Sequence, residues 1–198
     1  MAKSLITACL LVLLAGCAAN KQHLTREEWL KTTSRDIEGV TKEQVISAAE
    51  NLFHIADGDD FLVVHNEEGF IATRGWGCYM VFGFQSGIDS WQLKVIPTAS
   101  GVKANLQIFR QMQAVAAMPT GTPYTTPGGG APVDGNAIYD LFWSRLDYLL
   151  GKRADWTTCK IHDEKIAKGL IWGDNSALCN GCNISNNDGI PPAPGGSN

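Results

Sequence analysis

After its opening segment this chain has no long hydrophobic run: nothing beyond residue 16 approaches the roughly 20 consecutive apolar residues a membrane-spanning helix needs. Basic blocks are missing too. Sixteen Lys and Arg stand against 20 Asp and Glu, and the formal charge of -4 becomes -5 when Lys3 leaves with the opening segment. Nucleic acid and anionic lipid surfaces are therefore poor candidates for partners. The signatures of catalysis are also absent. There is no Gly-x-Ser-x-Gly elbow, no Gly-rich phosphate loop closing on Lys and Ser or Thr, and no His-Glu-x-x-His helix. His23, His54, His65 and His162 are scattered along the chain, His65 within reach of Asp59 or Asp60 only across a turn. Glu67 and Glu68 are neighbours on a turn, point different ways, and do not form the acid and base pair of a glycosidase. Asp57-Gly58-Asp59-Asp60 lacks the alternating ligands and closing Glu of an EF-hand and reads as a solvated turn. No enzyme and no cofactor are expected.

What is present begins with Lys3, a short apolar core from Leu5 to Leu14, and the small pair Ala15-Gly16 before Cys17. That order of charge, short apolar run and small residues marks a processing signal over residues 1–16. Leu13-Leu14-Ala15-Gly16-Cys17 resembles the lipobox of bacterial envelope lipoproteins. The resemblance implies cleavage before Cys17, a diacylglycerol on its sulfur and usually a third acyl chain on the new amino terminus. Each buried CH2 contributes about 0.8 kcal/mol, so two or three chains anchor a protein durably. Ala18, where some relatives have Asp, implies delivery to the outer membrane, on its periplasmic or its surface face.

About 180 residues then remain, enough for one domain with its own core. Residues 17–24 form an acylated tether and 25–151 the domain proper. Thr25 and Glu28 have capping-box spacing, flanked by Leu24 and Trp29, so a short helix begins there. Thr32 to Ile37 reads as extended. Thr41 and Gln44 repeat the capping box, and Val45, Ile46, Ala49, Leu52, Phe53 and Ala56 share one face of a helix from Lys42 to about Ile55. The period then changes to two. Phe61 to His65 and Phe70 to Arg74 read as strands joined by Asn66 to Gly69, whose glycine suits a left-handed hairpin position. Cys78 to Phe84, Ser90 to Pro97 and Val102 to about Met112 follow, with turns at Gln85 to Asp89 and Thr98 to Gly101. Trp91, Leu93 and Val95 alternate with Gln92 and Lys94, and Val102, Ala104, Leu106 and Ile108 alternate with Lys103, Asn105 and Gln107. One face is buried and one wet, as in antiparallel sheets.

Pro119 to Gly135 holds four prolines and five further glycines with few apolar side chains, and reads as an exposed loop without structure of its own. Asn136 then caps a second helix, Ala137 to Leu150, closed by Gly151. Residues 152–185 form an irregular Cys-bearing extension, and 186–198 a polar Pro-Gly tail too poor in apolar surface to order itself. The expected fold is α+β, an antiparallel sheet of four or five strands with two helices packed on one face. From Arg35 to Arg74 the pattern Val45, Ala48-Ala49, Leu52, Asp60-Phe61, Val63 and Gly69-Phe70-Ile71-Ala72-Thr73-Arg74 resembles helix-grip domains of envelope lipoproteins, such as those of the C subunit of the outer-membrane β-barrel assembly machine. The resemblance implies a noncatalytic assembly or binding role.

Six cysteines occur; Cys9 leaves with the signal and Cys17 carries lipid. In an oxidising compartment close pairs form disulfides. Cys78, in an apolar strand, reads as a buried thiol. Joining Cys159 to Cys179 or Cys182 closes a loop of about 20 residues and contributes roughly 3 kcal/mol, against about 2 for the short loop between Cys179 and Cys182. Loop length does not separate Cys179 from Cys182; Cys159 with Cys179 is preferred. As the alternative, Cys159, His162, Cys179 and Cys182 have the spacing of a zinc knuckle, and Cys179-Asn180-Gly181-Cys182 that of a redox-active pair away from its usual helix N-terminus.

Two function classes follow. In the first, a membrane-anchored module docks another envelope protein through the wet sheet face around Tyr79, Gln92, Lys94, Lys103, Asn105 and Gln107, or through the Pro-Gly loop. In the second, Trp91, Phe82, Phe142 and Trp143 line a site for a small apolar or cell-wall ligand. Surface exclusion of phage or conjugating donors is a third alternative for a surface-facing lipoprotein.

Overall fold

The computed structural model describes residues 23–57, 60–80, 83–117, 123–127 and 130–179. The leader, Cys17, Cys182 and the polar tail lie outside the described residues. In chain order the elements are α1 (Arg26–Thr33), β1 (Ser34–Glu38), α2 (Lys42–Asp57), β2 (Leu62–Asn66), β3 (Gly69–Met80), β4 (Gly83–Pro97) and β5 (Gly101–Ala117). They continue as β6 (Pro123–Pro127), β7 (Ala131–Pro132), α3 (Ala137–Leu149), α4 (Cys159–Ala167) and α5 (Ser176–Cys179).

Helix starts follow local chemistry. Thr25 Oγ1 accepts from the Glu28 N–H at 3.3 Å while Glu28 Oε2 accepts from the Thr25 N–H at 2.8 Å. Thr41 and Gln44 repeat this exchange at the head of α2. Both capping boxes satisfy N–H groups that a helix start leaves without intrahelical partners. From Thr41 onward the expected apolar face holds, with Val45, Ala49, Leu52, Phe53 and Ala56 buried.

The sheet is antiparallel and runs β1-β5-β4-β3-β2, with β6 and β7 also paired to β5. Strands β2 to β5 form a meander, and β1 returns to the far edge, Ser34 opposite Asn105. The alternation reads out as expected: Trp91, Leu93, Val95, Val102, Ala104, Leu106 and Ile108 are all buried. Trp91 is the hub of the core, its ring 5.2 Å from Phe53 of α2 and 6.0 Å from Phe142 of α3. The architecture is α+β, and helices beyond the expected Lys42 and Ala137 pair contribute to it.

Several expectations change. The strand read from Cys78 to Phe84 and the turn at Gln85 to Asp89 are parts of β3 and β4, which pair without a break from Gly69 opposite Lys94 to Met80 opposite Gly83. Glycine makes room within this pairing: a Cβ on Gly87 would stand 2.5 Å from both the Trp76 ring and the Gln111 carbonyl oxygen. Gly69 likewise serves close approach, since its Cβ would fall 2.1 Å from the Leu93 carbonyl oxygen. It is not among the glycines with positive φ. The hairpin is held by Asn66 Oδ1, which accepts from the N–H groups of Glu68 and Gly69 at 3.0 and 2.9 Å.

The stretch read as an unstructured loop contributes β6 and β7. Prolines are compatible with them because each pairs on one side with β5, leaving the missing N–H on an outer edge. The extension is not irregular. Thr158 Oγ1 caps α4 by accepting from the Ile161 N–H at 3.2 Å, and Cys159, Ala177, Leu178 and Cys179 enter the hydrophobic core. Cys159 and Cys179 are joined by a disulfide across a separation of 20 residues. Cys78 is half-buried and is itself disulfide-bonded rather than a thiol, with its partner outside the described residues.

Asn136 stands at the head of α3 without a side-chain cap bond. Its Oδ1 accepts from the Trp172 N–H at 2.8 Å instead, and the N–H groups of Asn136 and Ala137 both donate to the Trp172 carbonyl. Gly135 and Gly173, at φ 101° and 108°, make the bridge that lets these segments touch. Only glycine holds that backbone without strain.

Candidate functional site

Register decides which side chains share a surface. Trp91 pairs with Ala72 and Ile108 in the buried layer, so Gln92, Ile71 and Gln107 face the opposite side. By the same alternation Leu62, Val64, Thr73, Tyr79, Ile88, Lys94 and Lys103 lie on that open face. Tyr79, Gln92, Lys94 and Lys103 therefore share one face, as expected of a single docking surface. They do not form one cluster. Gln92, Lys94 and Lys103 are close, Lys94 opposite Asn105 and Lys103 opposite Ile96. Tyr79 is eight positions along β3 from the partner of Gln92, about 27 Å away at the usual strand rise. Lys94 pairs with Glu68 at 2.5 Å, and Asn105 donates to Ser34 Oγ at 2.8 Å to fasten β1. Asn105 is structural rather than available.

Sequence reasoning missed the apolar part of this face. Leu62 is 65% exposed, Val64 58% and Ile88 50%, on the face where Tyr79, already expected there, is 91% exposed. The signal was present in Phe61-Leu62-Val63-Val64, which is apolar at both phases of the alternation, so burying one phase must expose the other.

Beside the open face, β2 is the last of the described strands at this end of the sheet. Between β2 and α2 runs a groove of about 530 Å³ lined by Ser47, Glu50, Asn51, Phe53, His54, Phe61, Val63 and His65. His65 Nε2 contacts Glu50 Oε1, on α2, at 2.7 Å. Leu62 and Val64 stand on one side of this edge and the groove opens on the other.

Ionisable groups with displaced pKa values sit elsewhere, where the extension meets the sheet. Burial disfavours charge on Arg110, but Asp89 and Asp174 outweigh it and hold the guanidinium protonated. Burial likewise opposes the Asp174 carboxylate, and its bonds to Arg110 and Ser176 prevail and lower its pKa. The His162 hydrogen bond, with help from Lys165 and against burial, brings Asp140 down to about 2. Burial pushes the Tyr139 phenol up to about 12, against the Ile108 backbone bond. Arg145, fully buried, donates to the carbonyls of Thr157 and Leu178 at 3.0 Å each. These groups join secondary-structure elements, and Asp89 and His162 are closed to any substrate at 1% and 0% exposure.

The zinc alternative loses its ligands. Cys159 and Cys179 are spent on each other, and His162 Nδ1 accepts from the Asn175 amide at 3.0 Å. Cys182, the remaining member and half of the Cys179-Cys182 redox reading, lies outside the described residues. No group of three or more His, Cys, Asp or Glu able to hold a metal occurs among the described residues. The aromatic set proposed for a ligand is packed instead: Trp91, Phe142 and Trp143 are 0, 0 and 2% exposed, with Phe142 and Trp143 centroids 5.1 Å apart. Phe82 lies outside the described residues.

No protein family, no characterised protein and no solved structure matches the chain. The geometry by itself defines a class, an α+β domain whose antiparallel sheet, among the described residues, runs from β1 at one edge to β2 at the other and leaves one face open.

Proposed function

We propose that this protein is an envelope lipoprotein, anchored in the outer membrane through acylated Cys17, whose domain is a noncatalytic interaction or assembly module for another envelope protein. The observation that carries the docking reading is the open face itself, where Leu62, Val64 and Ile88 stand exposed on the side that carries Gln92, Lys94 and Lys103, with Tyr79 farther along the same face. Exposed apolar groups gathered on one face, with polar groups around them, mark interaction surfaces. The anchor rests on Leu13 to Cys17, and the Cys159 to Cys179 bond supports an oxidising compartment. The resemblance to helix-grip lipoprotein domains points toward the same assembly role.

Labelled palmitate that enters the protein but not its Cys17→Ser variant would support the anchor, and no incorporation would remove it. A photocrosslinking residue placed at Gln92 and then at Ile88 tests docking in intact envelopes. One protein captured from both positions supports the reading; capture from neither overturns it. A second reading, a holder of small apolar ligands, is favoured by a cleft of about 410 Å³ lined by Trp29, Gln107, Ile108, Phe109 and Pro132. A hydrophobic fluorophore quenched by Trp29 would identify that cleft as the site.

A further inference from the structure

We propose that the β2 edge and the groove beside it bind an extended peptide segment of the partner by strand addition, the segment being apolar at its centre and flanked by Lys or Arg. This rests on the docking reading above and specifies its mode. Among the described strands β2 pairs with β3 alone, so alternate N–H and C=O groups from Leu62 to Asn66 turn outward. Folded proteins usually protect such an edge with Pro, Lys, a bulge or a covering element. Leu62-Val63-Val64-His65-Asn66 has neither Pro nor Lys, and its register with β3 is continuous from Leu62 opposite Thr73 to Asn66 opposite Gly69.

The surroundings suit a strand. Side chains of an added strand alternate, one set turning to the open face and one to the helix side. Leu62 and Val64, both more than half exposed, meet the first set. The groove floored by Phe53, Phe61 and Val63 receives the second, with Ser47, Asn51 and His54 at its rim. A strand held by main-chain bonds on one side and side-chain pockets beside a helix is an established mode of peptide capture.

Charge selects the occupant. Asp60 precedes the edge and Glu67 follows it, while Glu68 is already paired with Lys94 and Glu50 in the groove with His65. A second copy of this chain, paired antiparallel about Val64, would bring its Asp60 to the turn that carries Glu67 and Glu68, like charge toward like charge. Basic flanks on a foreign segment meet Asp60 at one end and Glu67 at the other.

The test uses the full mature chain in detergent and a fluorescent peptide of alternating Val and Thr with two Lys at each end. Saturable binding is expected, weakened about tenfold or more when alternate peptide nitrogens are methylated, because methylation removes the edge hydrogen bonds. Glu in place of the flanking Lys weakens binding by a similar factor. Val64→Lys, a change at an exposed position, lowers affinity while the thermal midpoint stays within a few degrees of the parent. Equal binding of the methylated peptide, or none by the parent chain, overturns strand addition. Concentration-dependent dimerisation abolished by Val64→Lys also overturns it, in favour of self-pairing. A partner still crosslinked from Gln92 in the Val64→Lys protein leaves the docking reading standing and rejects this mode alone.

Discussion

Arg110 holds Asp89 with two nitrogens, Nε to Oδ1 at 2.6 Å and Nη2 to Oδ2 at 3.0 Å. Its remaining nitrogen, Nη1, bonds Asp174 in the extension. The fork matches the carboxylate in the bidentate manner peculiar to arginine. Trp76 covers the pair, its ring 5.6 Å from the guanidinium and its Nε1 3.3 Å from Asp89. Two strands and the segment before α5 are thereby tied at one buried point.

Asp89→Ala should therefore lower unfolding stability by about 3–5 kcal/mol, because it leaves a guanidinium largely shut from water without its main counter-charge. Asp174→Ala, at the more exposed arm, should cost less. Urea unfolding midpoints of the two variants check the order.

Asp140 makes the fold acid-sensitive. Its carboxyl falls from 3.8 to about 2 through the His162 hydrogen bond, with Lys165 Nζ 2.9 Å away. A depressed folded value means the contribution is complete above about pH 4 and is lost as pH falls toward 2. With its partial exposure allowed for, the loss is about 1–2 kcal/mol. The stability difference between the parent and Asp140→Asn should shrink over that interval; a constant difference would reject the assignment.

Cys159→Ser should cost about 3 kcal/mol, the chain-entropy value for its loop, and full reduction more, because it also opens the Cys78 bridge. Peptide mapping without reductant should recover Cys159 with Cys179 and place Cys78 in a separate bridge. With Cys9 cleaved away and Cys17 acylated as proposed, Cys182 is the cysteine left to join Cys78. A Cys78 to Cys17 linkage would rule out the lipid anchor.

Two glycines on neighbouring strands should respond in opposite ways. Gly87→Ala drives a methyl into Gln111 and Trp76 and should destabilise by about 1–3 kcal/mol. A Cβ on Gly75 meets nothing within 4 Å, so Gly75→Ala should be neutral or slightly stabilising. Comparable losses at both positions would contradict the continuous β3 and β4 register.

The candidate surface was legible in part. Alternation placed Gln92, Lys94 and Lys103 on the wet side correctly, because the phase of a strand follows from which residues must be buried. It could not show that Asn105 is committed to Ser34, 71 residues away, or that Tyr79 stands far from the lysines. Nor could it show that β2 is the last of the described strands at its end of the sheet, since five residues carry no mark of whether a neighbour lies on their second side.

From sequence alone came the features settled within a few residues: the capping boxes at Thr25 and Thr41, the buried face of α2, and the phase of β4 and β5. Their energetics are local, a side chain reaching its own helix start or an alternation that must bury one face. Tertiary structure alone decided that β3 and β4 run straight through their glycines, that a Pro-bearing segment joins β5, and that Asn136 serves Trp172 rather than its helix. Each depends on a group brought near by distant chain, the Trp76 ring across Gly87, the open edge of β5, the backbone of Trp172. Such contacts leave no periodicity to read, because the two sides of each contact are encoded separately and meet only after folding.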